Sequence, residues 1–161
     1  MKTAILGIDP GLSGAMALID GDSGEFIKCE EFEVIQVGSL KHIDGAQVSN
    51  FTKSMTAAGY YIEAYVERVS AMPGQGVSSM FTFGGASLGI LVALGVMAIP
   101  FTLVTPPVWK KGVGIQTGAE KSESLSRARQ LFPSASLERN KDHASAEALL
   151  IARYGYLQKK G

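Results

Sequence analysis

At 161 residues the chain is long enough for one domain with a real hydrophobic core, and a lone cysteine, Cys29, excludes an intramolecular disulfide framework. Fifteen basic and fifteen acidic side chains give zero net charge, which taken whole argues against a nucleic-acid protein. The distribution argues otherwise: residues 1–107 hold 5 basic and 10 acidic side chains, and residues 108–161 hold 10 and 5, so a basic third is available to face phosphates. The lone thiol favours a reducing interior, and no apolar leader follows Lys2, so a cytoplasmic protein of a bacterium or a phage-infected cell is expected.

Apolar runs at residues 2–8, 15–19 and 25–34 read as three successive strands, the last two joined across Asp20-Gly21-Asp22-Ser23-Gly24, a hairpin signal. Val48, Phe51 and Met55 have helical spacing within a helix from Asp44 to Ala58 that Gly59 closes. Residues 60–66 form a fourth strand. A Gly/Pro loop over 71–77 leads into a long uncharged helix, about 77–97, and a strand over 99–104, both read as buried. The apolar stretch from Leu88 to Val104 raises the question of a membrane span, which Pro100 and the glycines at 84, 85, 89 and 95 oppose, so no membrane partner is expected. Gly85 and Gly89 suit close packing in the core or along a dimer seam. A basic connector follows Pro106-Pro107, then helices over about 119–131 and 142–157. The result is an α/β domain spanning 1–161: three antiparallel strands, then two parallel ones, in a mixed five-stranded sheet flanked by helices. That order is similar to the ribonuclease H-like architecture, in which acidic residues sit on strand one, strand four and the last helix.

Those three places are acidic here. Asp9 ends the first strand before Pro10-Gly11, a sequence that also suits a plain turn. The following Gly11-Leu12-Ser13-Gly14 resembles the phosphate cradle of actin-like and sugar-kinase folds, but those need a second lobe that a chain this short does not supply, so no nucleotide cofactor is expected. Glu67 ends the fourth strand; Glu63 shares its face, and alternation alone does not choose between them. His143 and Glu147 stand four apart, about 40° apart around a helix, and Asp142 precedes them as N-cap or ligand. Carboxylates converging from distant segments suit two hard divalent cations about 3.5–4 Å apart, one activating water and one stabilising the leaving oxygen of a phosphodiester. Asp9 would bridge them, with Glu67 and Glu147 completing the two spheres. Asp142 or His143 would add a ligand, or His143 a proton shuttle.

The segments Gly7-Ile8-Asp9-Pro10-Gly11, Val66-Glu67, Met72-Pro73-Gly74-Gln75-Gly76, 113–121 and the helix from Asp142 to Ala152 together resemble the RuvC family of Holliday junction resolvases, especially its phage and chloroplast branch. The resemblance implies a homodimer that makes paired, symmetric nicks in four-way DNA with Mg²⁺, or Mn²⁺, two ions per active site. Asp9, Glu67 and Glu147 match the family's acidic positions. Its third position falls on Ala144, and the Asp142-His143 pair resembles that of the phage and chloroplast branch, so both residues stay in play. Lys110, Lys111 and Lys121 fall where the family places basic residues near DNA, although exposed lysines are also ordinary solubilising residues. Met72 and Gln75 lie where resolvases wedge open the junction centre, Phe81 and Phe83 read as core, and Trp109 as an anchor for its connector. Two other readings remain: a nuclease of the same fold acting on other branched or single-stranded DNA, and a catalytically silent junction-binding module.

Overall fold

A computed structural model describes every residue except Met72, Thr117 and Ala119, and Lys121 through its backbone alone. Its centre is strand β1 (Thr3–Asp9), flanked on one side by β2 (Ala15–Asp20) and β3 (Phe26–Glu31), on the other by β6 (Tyr61–Glu67) and β7 (Phe101–Val104). β1, β2 and β3 pair antiparallel in turn, while β1–β6 and β6–β7 are parallel. The five-stranded sheet has the expected order and directions. β1 is apolar without alternation because helices cover both of its faces.

Alternate residues serve two cores. Ile5, Ala17 and Ile19 face one layer of helices, α3 (Pro106–Gly112), α4 (Lys121–Leu131) and α5 (His143–Lys160). Leu6, Ile8, Met16 and Leu18 face the other, α1 (Gly45–Ala57) and α2 (Val77–Val96). Each fully buried Ile or Leu contributes about 1.5–3 kcal/mol. Asp44 caps α1, its side chain accepting from the Ala46 N–H at 2.9 Å.

Four expectations need correcting. The third strand ends at Glu31, and residues 34–43 form a separate hairpin, β4 (Val34–Val37) with β5 (Leu40–Ile43), turned at Gly38 with φ +61°. The stretch after Val104 is helix α3, begun by Pro106, whose missing N–H is harmless in a first helical turn. The helix over 77–97 is not buried. Only Ala86, Ile90 and Leu94 are buried, whereas Val77, Phe81 and Val96 are 80%, 72% and 83% exposed. Length and composition alone would let α2 cross a membrane, yet it lies against α1 and β5 of a compact sheet domain. Phe81 is therefore not core, and Phe83 is half-buried. β7 forms the sheet's open edge, with Phe101 and Leu103 exposed.

Candidate active site

α5 crosses β1 and β6 in the antiparallel sense, and small residues let it lie directly on them. A methyl group at Gly7 would overlap the Ala148 carbonyl and the Ala152 N–H, and would stand 2.8 Å from the Ala152 Cβ. Further along, Gly155 lies under the Tyr65 ring, and Lys159 Nζ reaches Glu63 Oε1 at 2.9 Å. These contacts fix the register of helix on sheet. Glu63 belongs to the far end, paired with Lys159, and Glu67 to the end where α5 begins.

β1 and β6 run in register, Ile8 opposite Val66, so Asp9 and Glu67 leave neighbouring strands at the same edge. Asp9 is held in a tight loop: the Gly14 N–H donates to the Gly11 carbonyl at 3.0 Å, and a Cβ at Gly14 would strike the Asp9 carbonyl. Glu67 is half-buried. Burial pushes its carboxyl above the usual range, a hydrogen bond from Trp109 opposes that, and the charge of Glu147 raises it further. The fully buried Trp109 donates from Nε1 to Glu67 Oε2 at 2.7 Å. One residue on, Lys110 Nζ stands 3.8 Å from Glu147 Oε1 and 5.3 Å from the Trp109 ring. Glu67 and Glu147 thus stand near one another beside the Lys110 ammonium, and Asp9 ends the neighbouring strand at the same end of the sheet.

Asp142 is not gathered with them. Its buried carboxylate accepts from Arg139 Nε at 2.7 Å and from the Arg139 backbone N–H at 2.8 Å, and Arg139 also reaches Glu31 at 3.4 Å. Burial raises its pKa, but the bonds from Arg139 outweigh that and hold the carboxyl below the usual range. Asp142 lines a cavity of about 430 Å³ with Cys29, Glu31 and Ser145 on the β3 side of the molecule. His143 opens α5; its Nδ1 is buried and has no hydrogen-bond partner among the described residues.

Among the expected DNA contacts, Lys110 is half-buried at the carboxylates and Lys111 is exposed on α3. Gln75 lines a groove of about 450 Å³ with Leu12, Ser78, Ser79, Thr82 and Phe83; Phe83 also covers Gly11, so the groove borders the Asp9 loop. Met72 lies outside the described residues, as does the Lys121 side chain. Sequence reasoning missed the bond from Trp109 to Glu67, and no local signal announces it, because the partners are 42 residues apart.

The donor set is all oxygen, the chemistry a hard divalent cation prefers, and Lys110 beside Glu147 shows a positive charge accommodated there. Among the described residues, no three His, Cys, Asp or Glu side chains are grouped closely enough to hold a metal ion as they stand.

No protein family's sequence profile matches the chain. The chloroplastic Holliday junction resolvase MOC1 of Chlamydomonas reinhardtii is 37% identical over 97 residues, 56% of this chain. That match spans only 10% of the relative's own length. Two structures of RuvC from Thermus thermophilus superpose along almost the whole chain. The one in complex with a Holliday junction substrate has a TM-score of 0.65 at 16% identity, over 99% of this chain and 96% of that one. The other has a TM-score of 0.59 at 17% identity, over 99% and 97%. The fold is therefore the ribonuclease H-like fold of RuvC.

Proposed function

We propose that this chain is a RuvC-like resolvase, an endonuclease that cuts four-way DNA junctions by metal-dependent phosphodiester hydrolysis. The observation that supports the reading is that Asp9 and Glu67 end neighbouring parallel strands at the same end of a RuvC-type sheet, with Glu147 of the last helix beside Glu67. The local similarity to MOC1 supports the choice of substrate.

Asp9, Glu67 and Glu147 would hold Mg²⁺ or Mn²⁺, with His143 as the fourth group at the start of α5. Such ions, two per site, supply an activated water and charge stabilisation for the leaving 3′ oxygen. The protein's own part is positional. β1 and β6 give Asp9 and Glu67 rigid backbones, the Gly7 contact seats α5, and Lys110 keeps the cluster from repelling itself apart when no ion is bound. Asp142 is assigned a structural role instead, tying the start of α5 to Arg139. Lys110, Lys111 and Lys121 would meet phosphates, Gln75, in the groove next to the Asp9 loop, would meet bases, and the same role is proposed for Met72 from its place in the sequence.

Paired nicks need two sites, and the outward face of α2 supports a homodimer. Val77, Phe81, Leu88, Val92 and Val96 are exposed on one helix, and among the described residues a methyl group added at Gly84, Gly85 or Gly89 would meet nothing within 4 Å. A reducing, cytoplasm-like compartment suits the lone, half-buried free thiol.

The test is cleavage of an immobile four-way junction against matched duplex and single strand, in Mg²⁺ and in EDTA. Symmetric nicks confined to the junction and lost in EDTA are expected, and should vanish in Asp9→Asn and Glu147→Gln while junction binding persists. Equal cutting of all three substrates would refute the junction preference. Tight junction binding without any cutting would leave a binding module.

A further inference from the structure

The bond between Trp109 and Glu67 has chemical consequences for the site. Trp109 has no exposed surface and is wedged in the core among Val104, Val113, Ile115 and residues of α5, so its ring is fixed by packing on several sides. A buried indole N–H needs a partner, and this one has taken a single carboxylate oxygen, Glu67 Oε2, at 2.7 Å. The same short helix also presents Lys110 to Glu147. α3 follows directly on β7, whose Val104 lies opposite Glu67 in the sheet.

We propose that Trp109 is the positioning residue of the site: its indole N–H holds one oxygen of Glu67 so that the other oxygen is presented to the bound cation in a fixed orientation. The inference rests on the reading of Glu67 as a metal ligand. Partners that orient a ligand in this way typically change metal affinity or activity by about 10–100-fold when removed. Trp109 touches neither substrate nor cation; it acts through Glu67.

Trp109 is the only tryptophan of the chain, so the wild-type protein carries its own reporter. Indole emission should change saturably as Mg²⁺ is added, with a midpoint that moves out of range in Glu67→Gln. In parallel, Trp109→Phe keeps most of the ring volume and deletes the N–H. Its affinity for Mn²⁺, read as free Mn²⁺ by electron paramagnetic resonance, should fall about 10–100-fold. Its junction affinity in EDTA should not change, a split that a general packing defect would not produce. Wild-type protein that binds Mn²⁺ and nicks junctions, while Trp109→Phe binds Mn²⁺ equally well, overturns the role of Trp109 alone. So does indole emission indifferent to Mg²⁺ in an active wild-type protein, a result that needs no variant to fold. Wild-type protein that neither binds Mn²⁺ nor nicks a junction instead refutes the underlying reading of the carboxylates.

Discussion

Gly7→Ala offers a quantitative test of how α5 is seated. The added Cβ would lie 2.8 Å from the Ala152 Cβ and would overlap the backbone at Ala148 and Ala152, atoms that cannot rotate aside. Carbon atoms normally approach to about 3.5–4.0 Å, so α5 must retreat by about 1 Å. Overpacking of this kind costs about 1–3 kcal/mol. For a domain of this size each kcal/mol lowers Tm by about 2–4 °C, so a fall of about 2–12 °C is expected by circular dichroism. The retreat also draws Glu147 away from Asp9 and Glu67, and misplacement by about 1 Å costs about 100-fold in rate. Single-turnover nicking at saturating Mg²⁺ should fall by about that factor, with junction binding in EDTA preserved. Gly45→Ala is the control, because a methyl group there meets nothing within 4 Å. A Gly7→Ala protein with wild-type Tm and wild-type nicking would refute the claim that this contact sets the position of Glu147.

The Asp142 carboxyl, held below its usual pKa by Arg139, contributes stability that is present above the unfolded-state value, about 3.9, and is lost as pH falls through the folded value. The urea midpoint of wild type should therefore exceed that of Asp142→Asn at pH 6, and the gap should narrow progressively as pH falls below about 3.9; a constant gap would place the effect outside this titration. Burial pushes the Cys29 thiol up to about 11 from an ordinary value of 9.0, leaving about a hundredth of the usual thiolate near neutrality. Iodoacetamide at pH 7.5 should label the native protein about 100-fold more slowly than the urea-unfolded chain, and equal rates would contradict the burial. Val92→Lys, on the exposed face of α2, should yield a monomer by light scattering with little change in Tm; a persisting dimer would move the interface elsewhere.

The central sheet was legible because covering both faces of β1 demands an uninterrupted apolar run, and such runs show in sequence. The carboxylates were legible as types at strand and helix ends. Alternation puts Glu63 and Glu67 on one face and does not choose between them; the resemblance favoured Glu67, and the register of α5 then sets Glu63 apart with Lys159. Exposure of α2 was illegible for a related reason: a helix apolar all round has no polar stripe to mark its outer side. The β4–β5 hairpin was lost because its exposed Val34 reads as a continuation of β3. α3 was lost because Pro106-Pro107 was read as a break and not as a helix start. The ion pair between Arg139 and Asp142 did leave a trace, opposite charges three residues apart, but the spacing does not say that the carboxylate is buried.

The packing of α5 on β1 also bears on synthesis. A ribosome that has released residues 1–120 has already emitted β1, its partners β2 and β6, and two of the three carboxylates. The β1 face bearing Gly7 and Asp9 still lacks its covering helix, and Glu147 has not been made. The pairing of the first strand with the last helix is among the longest-range contacts in the chain, the kind that closes slowly. On the proposed function, an unfinished chain would be inert towards DNA, and cutting capacity would arrive in one step, with the docking of the eighteen residues of α5.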